Sequence, residues 1–216
     1  MRNLRRILVL AALTLPLTAS TCTKDKKVDV VLGVPTELDL AINSTGGQNW
    51  HQDIDAIDLR GNLDLSAKLS DAGIDPQDVK SIQVVQIFYR VTAPQTGKSV
   101  SNGLLEVTRG ALIGPLFTPD GNGTVHVADG FAADLGTASP DWVDITGTLD
   151  SGIGVLNAIA TDLLKELKGE GSAQNTAVLY QVSGDVTPSD TATNVTWKLK
   201  IVIQVVSQRS FEIPFG

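Results

Sequence analysis

The amino-acid sequence predicts a mainly β protein, an antiparallel sandwich with one amphipathic helix packed on it. Three observations carry this expectation. Apolar and polar residues alternate with a period of two in segment after segment from Val28 onward. Helical spacing is sustained in one long stretch only, residues 151–168. The strand-like segments also follow one another without the crossover helices that a parallel, doubly wound sheet requires.

Residues 1–21 read as a secretion signal. Met1 to Arg6 are a basic start, residues 7–17 an apolar run, and Thr18, Ala19, Ser20 and Thr21 small residues leading to a junction. The apolar run is too short to span a bilayer as a helix. Cys22, the only cysteine of the 216 residues, stands at that junction. It is the expected lipidation site of a bacterial lipoprotein, where the thiol takes a lipid and becomes the new N-terminus. Ala19 and Thr21 are unusual at their positions in such a signal, so ordinary cleavage near Ala19 or Ser20 is the alternative. Residues 22–27 are then a charged, lipidated tether, and 28–216 a single sandwich domain. With no second cysteine, no intramolecular disulfide forms, and cohesion rests on the core.

The elements follow in order. Leu38, Leu40 and Ile42 alternate with Glu37, Asp39 and Ala41, and a polar break covers residues 43–47. Ile54, Ile57 and Leu59 among Asp53, Asp55 and Asp58 predict a second strand, with a bulge where the period slips. Residues 63–72 predict a short helix capped by Asp64 and stopped at Gly73, and Asp75-Pro76 a further single turn. Residues 81–91 predict a central strand covered on both sides, with Val85, Ile87, Tyr89 and Val91 on one face and Ile82, Val84 and Phe88 on the other. Residues 93–102 read as a loop and 103–108 as a hairpin partner. Strands at 112–117 and 124–128 flank Pro119-Asp120-Gly121-Asn122-Gly123, a turn signal. In the long helix Ile153, Leu156, Ile159, Ala160, Leu163, Leu164 and Leu167 form the apolar stripe, Ser151 caps the start, and Gly169 and Gly171 end it. Two long strands close the chain, one through Val178, Tyr180 and Val182 and one from Val195 to Val205, with a turn at residues 188–190. The pattern suits an immunoglobulin-like or jelly-roll-like sandwich. A membrane β-barrel would need a lipid-facing apolar surface and a polar interior, which the amphipathic helix fits poorly.

Removing the signal takes three arginines and leaves 14 basic against 24 acidic side chains, a net charge of −10. That balance excludes a nucleic-acid partner, which needs Lys and Arg to displace phosphate counterions, and offers no polybasic patch to anionic lipid.

No catalytic signature emerges. Thr96-Gly97-Lys98-Ser99 imitates the end of a phosphate-binding loop, but Thr92 stands where a glycine is needed and no helix follows. His51 and His126 are the only histidines, and both read as structural. Asp53 and Asp55, two apart on a strand, share a face with backbones about 7 Å apart. They are candidates for ligand binding or for an acid–base pair. Asp120, Asn122 and Thr124 have the every-second-residue spacing that opens a calcium loop, without its closing glutamate. Calcium is the only cofactor these residues suggest. Trp197 is expected in the core. Trp50 and Trp142 lie in polar text and are the candidate sugar-stacking pair. Asn43, Asn122 and Asn194 open N-glycosylation triplets, which carry no meaning in a bacterial lipoprotein.

The expected function is an exported, lipid-anchored, non-catalytic binding or interaction module of the bacterial cell envelope. It would sit in the periplasm, on the outer membrane or at the cell surface, held by Cys22, with a glycan or an envelope protein as partner. A hydrolase using Asp53 and Asp55 on envelope glycans, and a structural or assembly lipoprotein without a small ligand, are the alternatives.

Overall fold

The computed structural model describes residues 25–44, 46–47, 49–139 and 141–212, with the backbone alone for 25–28, 44 and 209–212. The expected signal, residues 1–21, and Cys22 lie outside the described residues. The described residues form eight strands: β1 (Asp25–Ser44), β2 (Asn49–Asp58), β3 (Val79–Ala93), β4 (Ser99–Ile113), β5 (Leu116–Asp134), β6 (Val143–Asp144), β7 (Ala177–Thr187) and β8 (Thr193–Glu212). Three α-helices accompany them among the described residues, α1 (Leu59–Leu63), α2 (Leu65–Asp71) and α3 (Ile153–Leu167).

The strands make two antiparallel four-stranded sheets, ordered β1-β8-β3-β6 and β2-β7-β4-β5. Strands one and eight, two and seven, three and six, and four and five all pair. Those are the rungs of one long antiparallel ribbon. Wrapping it into a sandwich adds the β3–β8 and β4–β7 pairs. The arrangement is the jelly roll, and it selects between the two sandwich types the sequence allows.

Antiparallel wrapping sorts the connections onto two poles. The β1–β2, β3–β4, β5–β6 and β7–β8 links share one pole and brace each other there. Gly47 N–H donates to Ser189 O at 2.8 Å and Gln95 N–H to Leu135 O at 3.1 Å. Lys98, almost fully buried, donates its ammonium to Pro188 O (2.7 Å), Thr191 O (2.9 Å) and Thr191 Oγ1 (2.8 Å). The phosphate-loop lookalike is therefore a strut between two loops. At the opposite pole lie the start of β1, the end of β8, helices α1, α2 and α3, and the tip of the β4–β5 hairpin.

The core lies between the sheets, with aromatic rings packed across it. Trp197 on β8 is fully buried. Its ring centroid lies 5.7 Å from Trp50 on β2, 6.3 Å from Tyr89 on β3 and 6.2 Å from Phe131 on β5. Strands of both sheets thus converge on one indole. Gly103 on β4 has no Cβ because the Phe131 ring fills that space.

Several local expectations hold. Asp64 caps α2 by accepting from Ala67 N, and Asp75 caps the single turn Pro76–Asp78 by accepting from Gln77 N. The bulge in β2 falls between Ile54 and Ile57.

Others are corrected. β1 begins at Asp25, so residues 25–27 pair with β8 and are not a free tether. In β3 the register slips between Val84 and Gln86. That bulge puts Ile82 and Val84 on the same buried face as Ile87, Tyr89 and Val91, while Phe88 turns outward. The strand therefore has one core face, not two. The β4–β5 turn is at Gly114-Pro115, between the paired Ile113 and Leu116. Residues 120–123, read as that turn, bulge out of β5 opposite Arg109, because Thr108 pairs with Thr124 and Gly110 with Pro119. Gly121 and Gly123 take positive φ there, which is the geometry that produced the turn signal.

Helix α3 begins at Ile153 with Gly152 as its N-cap, not Ser151. A Cβ at Gly152 would collide with the His126 backbone, so only glycine permits this approach. The helix covers the free edge of β3 where the two-residue β6 stops. Asn157 Oδ1 accepts from Val84 N at 2.5 Å, and Lys168 Nζ donates to Val79 O at 3.0 Å. A bare strand edge is thereby satisfied by side chains.

Trp197→Ala is expected to destabilise the fold by about 3–5 kcal/mol through the cavity it leaves. Urea unfolding followed by far-ultraviolet circular dichroism measures this; a loss below about 1 kcal/mol would show that the rings do not hold the sheets together.

Candidate functional site

The two indoles nominated for sugar stacking are separated by the fold. Trp50 lies in β2, not in a loop, and its side chain points into the core against Trp197. This corrects the expectation that it is exposed. Polar neighbours disguise it, because on a strand they occupy the other face. Trp142 lies beside the outer face of the β1-β8-β3-β6 sheet and is half-buried. Lys200 Nζ sits 4.3 Å and the Arg90 guanidinium 4.7 Å from its ring centroid. Lys200 also lies 4.6 Å from the Phe88 ring. Cations already engage the indole that a sugar would stack upon. Burial lowers the Lys200 pKa, as does neighbouring Arg90, against the pull of Glu37. The pair forms no shared platform.

Asp53 and Asp55 do share the exposed face of β2, as their spacing predicts. Gln181 Nε2 donates to Asp53 Oδ1 at 2.9 Å, and His51 Nε2 lies 2.9 Å from the same oxygen. The Gln181 hydrogen bond first, then that of His51, holds the Asp53 carboxyl below its ordinary value. A general acid needs the opposite shift. Trp50 points to the other side of the strand, so indole and carboxylates do not converge.

Asp120, Asn122 and Thr124 are drawn into the chain's own bonds. Asn122 donates its backbone N–H to Asp120 Oδ1 at 3.0 Å and its side-chain amide to Oδ2 at 2.9 Å. Thr124 Oγ1 pairs with Thr108 Oγ1 across the ladder at 2.8 Å. Arg109 lies 3.9 Å from Asp120 Oδ2, donates to Asn175 O and Gln174 O, and pairs with Asp162 of α3 at 3.1 Å. This arrangement ties the base of the β4–β5 hairpin to α3 and to the segment that follows it.

A grouping that spacing alone does not reveal lies on β5. Leu105 pairs with Ala128 but Glu106 with His126, leaving Val127 as a bulge residue. Val127 and Ala128 are consequently both buried, and His126 and Asp129 both face solvent. Three residues apart on a regular strand, they would point to opposite faces. An isolated bridge from Leu149 to Ala128, with Asp150 N–H donating to Val127 O at 2.9 Å, brings Asp150 alongside. Ligand atoms of His126, Asp129 and Asp150 all lie within 4.8 Å of one another, and Glu106 Oε1 is 3.3 Å from His126 Nε2. One imidazole and two carboxylates are a donor set suited to a divalent cation. The only signal in the sequence is a histidine three residues before an aspartate in strand text, which the bulge alone makes meaningful.

Two outcomes follow. Trp50→Ala is expected to cost about 3–5 kcal/mol as a core truncation, whereas Trp142→Ala costs about 1 kcal/mol. Equal losses in urea unfolding would contradict the separation. The Asn122 backbone hydrogen bond, followed by smaller contributions that include the Arg109 charge, lowers the Asp120 pKa. Its stabilising effect is therefore present above the ordinary carboxylate value of about 3.9 and is lost as pH falls through the depressed one. The stability gap between wild type and Asp120→Asn should close on acidification below that range; a gap independent of pH would refute the pairing.

No family model and no curated protein sequence matches the chain. Among solved structures, the chain is similar to one titled Desmodium yellow mottle tymovirus, with 12 % identity over 100 % of this chain and 98 % of that one and a TM-score of 0.27. A structure of the infectious bursal disease virus Gx strain shares 9 % identity over 95 % of this chain and 42 % of that one, at a TM-score of 0.28. The decameric BFDV capsid protein shares 12 % identity over 82 % and 99 %, at 0.29. At these scores the likenesses carry no assignment, and the jelly roll rests on the strand order itself.

Proposed function

We propose that this chain is an exported, lipid-anchored, non-catalytic interaction module of a bacterial cell envelope, tethered through Cys22. The observation that carries the reading is the segregation of the two poles. β1 starts at the pole that holds the helices, and Cys22 precedes Asp25 by three residues. An anchor there directs the other pole, with its four mutually braced loops, away from the membrane. Braced loops on a rigid sandwich are a common form of recognition surface.

An envelope protein suits that surface better than a glycan. Trp50 is enclosed, and the Trp142 ring already carries two cations. The hydrolase alternative lacks its general acid at Asp53, because hydrogen bonds from Gln181 and then His51 lower that carboxyl's pKa where an acid needs it raised.

Intact mass of the mature protein tests the anchor. A diacylated or triacylated N-terminal Cys22 is expected, with the acyl mass and membrane sedimentation both lost in Cys22→Ser. A wild-type product lacking acyl groups would overturn the anchored reading. Turnover of a glycoside or ester panel that disappears in Asp53→Asn would overturn the non-catalytic one. Crosslinking from the β7–β8 turn, at Asp190→Cys, is expected to capture one stoichiometric envelope protein.

A further inference from the structure

The β4–β5 hairpin ends in apolar residues that the fold leaves in solvent. Ile113 is 68 % exposed, Leu116 69 % and Leu112 36 %, around the two-residue turn Gly114-Pro115. From Gly110 to Pro119 the sequence holds no charged residue, in a chain of net charge −7. Three exposed apolar residues clustered at one tip are unlike the single scattered ones that are normal on a surface, and such a cluster is a feature of contact sites.

The fold determines where this tip points. Gly110 pairs with Ala177, the first residue of β7, so the hairpin beyond it runs past the neighbouring strand. The β1–β8 ladder does the same on the other sheet, since Asp25 to Val30 pair with Glu212 to Ser207, and β3 begins at Val79 opposite Ser207. Both projections leave the sandwich at the same pole. One carries the chain back toward Cys22; the other presents Ile113 and Leu116. Arg109 holds the base of the second through Asn175, Gln174, Asp162 and Asp120. The tip therefore has a defined direction.

We propose that the tip of the β4–β5 hairpin is a second membrane contact, seated in the interface between headgroups and acyl chains of the bilayer that holds the Cys22 lipid. The inference rests on the anchored reading above, and it adds a site to it. An acyl chain on Cys22 brings this pole to the bilayer surface. Three residues beyond Gly110, at about 3.3 Å each, reach roughly 10 Å, comparable to the depth at which interfacial segments lie. The absence of charge from Gly110 to Pro119 means that insertion desolvates no ion, and the acidic remainder of the protein excludes attraction by anionic lipid as the cause. Acyl chains on a single N-terminal residue hold the protein at the bilayer without fixing how it is turned, and a second contact fixes orientation, with the braced loops outward.

The test uses the acylated protein carrying Leu116→Cys, whose introduced thiol is the only free one once Cys22 is thioether-linked. An environment-sensitive fluorophore at that position, in vesicles of zwitterionic phosphatidylcholine, is expected to shift to the blue and to be quenched by lipids spin-labelled near the headgroup. The same fluorophore at Asp190→Cys, on the opposite pole, should show neither effect. An Ile113→Asp, Leu116→Cys chain that keeps its circular-dichroism spectrum should lose both. No quenching at position 116 in protein whose Cys22 acyl mass is intact overturns the tip contact and leaves the anchor standing. A concentration-dependent blue shift without vesicles assigns the tip to a second copy and likewise overturns it. A preparation with no acyl mass on Cys22 removes the anchored reading and this proposal with it, an outcome read by mass and not by fluorescence.

Discussion

Cohesion across this sandwich depends on the packing of aromatic rings around Trp197. No disulfide within the chain joins the two sheets, because Cys22 is the only cysteine. Trp197 and Tyr89 come from one sheet, Trp50 and Phe131 from the other, and the indole at the centre is fully buried. Large rings remove much apolar area from water per residue ordered, and tilted or edge-on contacts add to this. The same packing constrains composition nearby: Gly103 is required where the Phe131 ring lies against the β4 backbone. The Trp197 Nε1 hydrogen is buried with no partner among the described protein atoms, at a cost of about 1–3 kcal/mol that burial of the ring offsets.

Around that centre the jelly roll must protect its strand edges. β6 is only two residues long, so the lower part of β3 would present unpaired backbone. α3 occupies that place and meets the edge with Asn157 and Lys168. The segment joining β6 to α3 then lies along β5, where Gly152 allows backbone to touch backbone. Protection of one edge thereby brings Asp150 to His126 and Asp129. The cation-suited group is a by-product of how the sandwich closes.

β-Bulges decide which side chains meet. The Val127 bulge turns His126 and Asp129 to the same face; the bulge in β3 gathers five apolar residues onto a single core face; the four-residue bulge at 120–123 sets Asp120 beside Arg109. Each breaks the period of two on its strand, as the bulge between Ile54 and Ile57 does on β2. Sequence patterning assumes an unbroken period, so it misassigns residues on one side of every slip. Trp50 fails for a related reason: its neighbours His51 and Asp53 are polar because they occupy the opposite face of the same strand.

Local features were legible in the order of residues, because these depend on nearest neighbours. Alternation announced the strands and their exposed faces, as with Asp53 and Asp55. The caps at Asp64 and Asp75 declared short helical turns, and the long apolar stripe from Ile153 to Leu167 declared α3. Strand order, the true hairpin turn at Gly114-Pro115, the enclosure of Trp50, and the shared pole of β1 and the apolar tip emerge with the fold alone. Those features depend on pairings between residues far apart in the chain, where a slip of one position reverses a face and no local preference records it.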